Sequence, residues 1–80
     1  MNERPCIYVR TRTGADYEIK SHPDWTVERL KEAIKDKSDI PVFQQRLIYG
    51  GKQLSDDKTL KDLNITTYCI IDLILALKGD

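Results

Sequence analysis

The stretch QQRLIYGG, residues Gln44 to Gly51, contains three large apolar side chains in a row, and two glycines end the run. A short apolar run bounded by glycine predicts a β-strand. Because successive side chains of a strand point to opposite faces, Leu47 and Tyr49 share one face of it. Ile48 shares the other face with Arg46, and arginine is rarely buried unless it is paired. The sequence therefore predicts that Ile48 faces water, where an isoleucine is a candidate contact for another protein.

Length and charge limit the classes of function. Eighty residues make one small domain, and thirteen basic residues balance thirteen acidic ones. This composition gives no basic footprint for nucleic acid or an anionic membrane. The start, MNERPC, lacks the apolar core of a signal peptide, and the run CIIDLILAL is too short to span a bilayer. We therefore expect a soluble cytoplasmic or nuclear protein that binds neither nucleic acid nor membrane.

Cysteine usage agrees with an intracellular protein. Cys6 and Cys69 are too few for a disulfide framework, and we expect both thiols to be reduced. The alternative is a redox pair that bridges two neighbouring strands. That pair requires Cα atoms within about 7 Å of each other.

The N-terminal half reads as two strands followed by a helix. CIYVRT (6–11) and DYEIKS (16–21) alternate apolar and polar residues, and the short glycine-containing segment between them predicts a hairpin. Thr26 is the predicted N-cap of a helix that runs to about Lys37 and carries one apolar stripe. Trp25 has the spacing of a hydrophobic staple. Lys31 falls on the face of the helix that we expect to be solvated.

The C-terminal half adds the remaining strands. The strand at 45–49 is followed by a short edge strand in KQL, a single helical turn capped by Thr59 and ended by Asn64, and a last strand in CIIDLILALK (69–78). One helix covers one face of one sheet, so the predicted fold class is α+β. The predicted core consists of Ile7, Val9, Tyr17, Ile19, Val27, Leu30, Ile34, Leu47, Leu54, Leu60, Leu63, Ile65, Ile71, Leu73 and Leu75. The other face of the sheet keeps Ile48, Ile70 and Ile74 without cover.

These residues carry a resemblance to a known family. IPVFQQRLIYGGKQLSDDKTLKDLNI, with TVERLKEAIKDK before it and LILALKG after it, resembles ubiquitin from about Cys6 to Gly79 without insertion or deletion. VERLKE, RLIY and LALKG are closer to the Nedd/Rub branch. The resemblance implies a β-grasp roll, a mixed sheet of four to five strands packed on one α-helix. It also implies a single domain over residues 5–79 after an N-terminal tail of residues 1–4.

The resemblance implies a partner-binding patch on the exposed sheet face. Ile48 matches the centre of the family's main recognition patch, Ile74 matches its aliphatic neighbour, and Gly51 matches the glycine at its edge. An alternative is that these are scattered surface isoleucines without a function.

Charged residues flank this patch. Arg12 and Asp72 stand where ubiquitin has leucine and histidine, and Arg46 lies on the strand of Ile48. We expect Arg10 and Asp72 to face each other across adjacent strands, a pair that stabilises little when exposed. The patch should therefore be narrower than in ubiquitin, and its partner should carry charged residues of its own.

Two further sets of residues match family positions. Ile40, Leu75 and Leu77 match a second apolar patch, for which peripheral core packing is the alternative. Lys31, Lys37 and Lys52 match lysines that accept further modifier chains, for which the alternative is an ordinary solubilising role.

The tail and the absence of catalytic motifs decide the predicted function. Conjugatable members of the family end in Gly-Gly, whereas this sequence reads Lys78-Gly79-Asp80. One histidine, no Cys-x-x-Cys and no phosphate-loop spacing predict that the chain is not an enzyme and has no catalytic residue, cofactor or metal. We expect a monomeric, non-conjugated interaction domain, part of a larger protein, that docks ubiquitin-receptor or proteasome-type proteins. The alternatives are a conjugated modifier with an altered tail, and an intramolecular regulator of a ligase or another enzyme.

Overall fold

The computed structural model describes residues 5–76 as one mixed sheet with one helix. In chain order its elements are β1 (Cys6–Thr11), β2 (Asp16–Lys20), α1 (Val27–Ser38), a 3-10 turn (Val42–Gln44), β3 (Gln45–Tyr49), β4 (Lys52–Gln53) and β5 (Ile70–Leu75). The strand order is β2-β1-β5-β3-β4, with β1 parallel to β5 and the other pairs antiparallel. This confirms the β-grasp fold. The predicted tail, residues 1–4, and the predicted domain end at 77–79 lie outside the described residues.

The helix begins where the sequence predicts. Thr26 has an extended backbone, and its hydroxyl accepts a hydrogen bond from the Arg29 N–H at 3.1 Å. Trp25, just before this cap, packs against the core, and the Arg29 guanidinium lies 4.3 Å from its ring centroid. The helix ends at Ser38, and the C-cap residue Asp39 adopts a left-handed conformation (φ 64°) and donates its N–H to the Lys35 carbonyl at 2.8 Å.

The core lies between the helix and one face of the sheet. Twelve apolar side chains are buried there: Ile7, Val9, Ile19, Val27, Leu30, Ile34, Leu47, Leu54, Leu60, Ile65, Ile71 and Leu73. All twelve belong to the predicted core, while Tyr17 and Leu63 are half-buried at its edge. The prediction is wrong for Leu75, which is 47% exposed. Leu75 is the last residue of β5 and pairs with the first residue of β3, at the end of the sheet.

Lys31 is also placed differently from the prediction. It is 8% exposed rather than solvated, and its Nζ lies 2.7 Å from Oδ1 of Asp56. The loop that carries Asp56 packs on the start of the helix. There its carbonyl oxygens accept hydrogen bonds from the N–H groups of Val27 and Glu28, at 2.9 and 3.1 Å. Those N–H groups lack partners within the helix, so the loop satisfies them and brings the carboxylate to the lysine.

The segment after this loop forms a single hydrogen-bonded turn. The N–H of Leu63 donates to the Thr59 carbonyl at 3.2 Å, and Asn64 ends the turn with φ 58° as predicted. The Thr59 hydroxyl accepts the N–H of Asp62 at 3.0 Å, and the Asp62 carboxylate accepts the N–H of Thr59 at 3.3 Å. This reciprocal capping holds Leu60 in the core.

The two thiols are free and face opposite sides of the sheet, so the redox pair considered above does not form. Cys6 Sγ donates to the Glu18 carboxylate at 2.8 Å on the uncovered face, and this hydrogen bond raises the pKa of the Cys6 thiol. Cys69 Sγ lies 3.1 Å from the Tyr49 hydroxyl on the core side. Burial alone raises the pKa of Cys69, but hydrogen bonds from Tyr49 and Thr66 outweigh it, so the net pKa is lowered.

Replacing Asp56→Asn should destabilise the domain because it removes the anion that faces a buried ammonium group. We expect the free energy of unfolding to fall by about 1–2 kcal/mol, measured by urea denaturation. Asp57→Asn is the matched control, since Asp57 is the exposed neighbour in the same turn. Equal midpoints for the two variants would show that the Lys31–Asp56 pair contributes nothing to stability.

The two thiols should titrate in different pH ranges. In a Cys69→Ala variant, we expect the pH midpoint of Cys6 alkylation by iodoacetamide to lie above that of an unstructured cysteine peptide, because a raised pKa delays thiolate formation. In a Cys6→Ser variant, the midpoint for Cys69 should lie below that of the peptide. Adding Tyr49→Phe to the second variant removes the hydroxyl and should raise the Cys69 midpoint. The reverse order of the two midpoints would contradict this assignment.

Candidate functional site

The candidate site is the sheet face that the helix leaves uncovered. Asp72, in the central strand β5, is paired in register with Arg10 of β1 on one side and Ile48 of β3 on the other. Two residues further along β5, Ile74 is paired with Arg46 of β3. Ile48 and Ile74 are therefore diagonal neighbours on one face, close enough for their side chains to form one surface.

A shallow groove of about 320 Å³ crosses this face. We call it the docking groove, and its lining residues are Arg10, Thr11, Arg12, Ile48, Asp72, Leu73 and Ile74. Ile48 and Ile74 are each half-buried, so part of each side chain stays open to a partner. Arg12 and Asp72, the two positions that depart from ubiquitin, both line the groove. Its centre is thus apolar and its walls are charged.

Gly51 lies beside the docking groove rather than in its lining. It is exposed in the turn between β3 and β4, and its φ of 81° is one that residues other than glycine rarely adopt. This turn lets β4 pair back on β3, where Gln53 faces Ile48 and Lys52 faces Tyr49. Gly51 therefore acts on the site by fixing the end of the strand that carries Ile48.

The second predicted patch is joined to the first. A groove of about 350 Å³ is lined by Ile40, Leu75, Ile74 and Arg12, together with Thr11, Thr13, Tyr17 and Leu73. Four residues line both grooves, so the two surfaces meet there: Thr11, Arg12, Leu73 and Ile74. Ile40 is half-buried and Leu75 exposed, while the predicted third member, Leu77, lies outside the described residues. No sequence pattern predicted that the two patches form one surface.

Gln45 positions Ile40 and was missed as a contributor to the site. Its side chain is 2% exposed, and Nε2 donates to the carbonyl oxygens of Lys31 and Ile40, at 2.9 and 3.0 Å. These two bonds tie the helix and the segment after it to the first residue of β3. Alternation with Leu47 already indicated that Gln45 points inward, but its polar side chain made it a poor core candidate.

The charges around the docking groove are mostly positive. Arg10, Arg12 and Asp72 are exposed, and Arg46 is half-buried. Three guanidinium groups and one carboxylate therefore surround the two isoleucines. Such a surface favours partners that place acidic residues along most of the edge of the docking groove.

The three candidate acceptor lysines differ in accessibility. The ammonium group of Lys31 is engaged by Asp56, and its side chain is 10% exposed. Lys37, at the end of the helix, and Lys52, on the edge strand β4, are exposed. Of the three, only Lys37 and Lys52 present an amine to another protein in this structure.

Residues 5–76 contain no cluster of three or more cysteine, histidine or acidic side chains that is placed to hold a metal ion. The helix in this part of the chain is too short and too polar to cross a membrane.

Comparison with known proteins places this chain among ubiquitin-like sequences. A sequence model described as the ubiquitin family matches residues 7–78. Ubiquitin-like protein NEDD8 of Dictyostelium discoideum is 44% identical over 73 residues, which cover 91% of this chain and 95% of that protein. NEDD8-like protein RUB3 of Arabidopsis thaliana is 42% identical over 73 residues, covering 91% of this chain and 94% of that protein.

A much longer protein also matches. Ubiquitin domain-containing protein DSK2b of Arabidopsis thaliana is 43% identical over 58 residues, which cover 72% of this chain but 10% of that protein. Similar sequences therefore occur both as small proteins of about this length and as one domain of a larger chain.

Proposed function

The chain belongs to the ubiquitin family, and from that premise we propose that it is an interaction domain that docks ubiquitin-receptor or proteasome-type proteins through the Ile48–Ile74 surface. The observation that carries this proposal is the docking groove. It places the two isoleucines side by side on a sheet face that no described element covers.

Physical chemistry supports binding at this groove. Each isoleucine is half-buried in the free protein, so a partner side chain seated in the groove completes the removal of apolar surface from water. Both side chains stand on strands whose alternate residues are buried in the core, so the surface is already ordered before binding. A groove of this size fits a short partner segment and a reversible complex rather than a permanent one.

The proposal that the domain is not conjugated depends on the sequence Lys78-Gly79-Asp80. Conjugation in the family uses a pair of glycines, and Asp80 stands at the second position. The added β-carbon and carboxylate would have to enter an enzyme channel that accepts glycine.

A second candidate function is that of a conjugated modifier with an altered tail. It is favoured by the match to small NEDD8-like proteins over 94–95% of their lengths. The match to a domain that forms 10% of a longer protein favours the first proposal instead. We place the function in the cytoplasm or nucleus, where proteins of the ubiquitin and proteasome pathway act.

Replacing Ile48→Ala should weaken docking without unfolding the domain. We expect binding of ubiquitin-receptor helices or proteasome subunits, followed by chemical-shift titration of the ¹⁵N-labelled chain, to weaken by about tenfold or more. Ile70→Ala is the matched control, since Ile70 is an exposed isoleucine on the same sheet face but outside the docking groove. If every binder in the panel leaves the amides of Ile48 and Ile74 unshifted, the docking proposal is wrong.

Incubation with NEDD8- or ubiquitin-activating enzyme and ATP separates the two candidate functions. We expect no thioester between the enzyme and residues 1–80 on a non-reducing gel. Asp80→Gly supplies the Gly-Gly pair and is the matched comparison for the same enzyme preparation. A thioester formed by the unaltered chain would favour the modifier over the non-conjugated domain.

A further inference from the structure

Asp72 lines the docking groove directly beside Ile48. Its register partners are Arg10 on β1 and Ile48 on β3, and Ile74 follows two residues later on the same face. The carboxylate is exposed and shares the groove lining with both isoleucines. Any segment that covers Ile48 and Ile74 together must therefore cover Asp72 as well.

The carboxylate of Asp72 has no partner within the described residues. The ion pairs in that part of the chain are Lys31–Asp56 and the exposed His22–Asp24 contact, and Asp72 accepts no side-chain hydrogen bond there. Arg10 and Arg12 likewise make no ion pair or side-chain hydrogen bond with another described residue. In the free protein, water solvates these charges.

Binding changes the surroundings of this carboxylate. A partner that lays an apolar side chain over Asp72 removes its water and offers nothing in return, which is a large penalty for an ionised group. A partner acid at the same place adds repulsion between like charges. A partner arginine or lysine replaces the water with a charge-assisted hydrogen bond.

The arginines on this face do not prevent a cation from binding at Asp72. Arg46 lies in the next row of residues, opposite Ile74, about 6.6 Å further along the strands. Arg10 flanks Asp72 from the β1 side only, so the side toward Ile48 stays open. The positive charges elsewhere on the face then set a second requirement, for acidic residues in the partner segment beyond that point.

We propose that Asp72 is the specificity-determining residue of the docking groove, and that it selects a partner segment with an arginine or lysine placed between the two apolar side chains that cover Ile48 and Ile74. Acidic residues of the same segment face Arg12, which lines the groove. This inference rests on the proposed docking function and names the chemistry of its partner.

Selection from a displayed library of short random peptides tests the proposal. Parallel selections use the unaltered chain, Asp72→Asn and Ile48→Ala, and peptides that bind the unaltered chain but not Ile48→Ala are kept as groove binders. Among these we expect an arginine or lysine at a fixed spacing from two apolar residues. When Asp72→Asn is the target of the selection, the groove binders recovered should lack that basic residue.

Individual peptides then give the size of the effect. For a selected arginine peptide, Asp72→Asn should weaken binding about tenfold by chemical-shift titration, which is the loss of one charge-assisted hydrogen bond. Asp57→Asn, the same chemical change in an exposed turn away from the groove, should leave affinity within about twofold. The amide spectrum of each variant confirms that the fold is retained.

The outcomes distinguish a failure of this inference from a failure of the proposed docking function. The role of Asp72 is overturned if groove binders of the unaltered chain lack a basic residue. It is also overturned if binders selected with Asp72→Asn as the target still carry that residue. Either result leaves the docking function standing. If no peptide depends on Ile48, the docking function is wrong and the inference falls with it.

Discussion

One helix covers one face of a five-stranded sheet, and every exposed apolar side chain at the site follows from that constraint. Along β5, Ile71 and Leu73 enter the core, and Asp72 and Ile74 alternate with them on the bare face. Residues of the core and residues of the site are thus adjacent in the chain. Six of the seven residues that line the docking groove belong to β1, β3 and β5, so strand pairing sets their positions.

Period-two alternation explains why so much of the fold is predictable from the sequence. β1 and β3 have the predicted limits, and the six buried apolar residues of the strands all lie in the predicted core. Alternation fails at Leu75 because it indicates which face a side chain occupies but not where the cover of that face ends. Alternation also does not predict the burial of Lys31, for a different reason. The burial of this lysine depends on a loop 25 residues away that returns to the start of the helix.

The parts of the site that depend only on strand register were predictable from the sequence. Since β1 runs parallel to β5, the register places Arg10 opposite Asp72, as the sequence led us to expect. The union of the two grooves was not predictable, because it depends on where Arg12 lies after the end of β1. Gln45 shows a different limit. The alternation along β3 indicates that the Gln45 side chain points inward. Its burial, however, depends on two carbonyl oxygens, one from α1 and one from the segment after it, that only the folded chain brings together.

The charges of the docking groove also bear on what this face does not bind. Two copies of the chain placed face to face would bring three arginines against three arginines, with one carboxylate on each side. Juxtaposed like charges disfavour such a pair, although the isoleucines alone would favour it. On the proposed docking function, the same arginines attract a segment of opposite sign and Asp72 disfavours a purely acidic one. These charges support the proposal that the surface recognises a different protein and not a second copy of this chain.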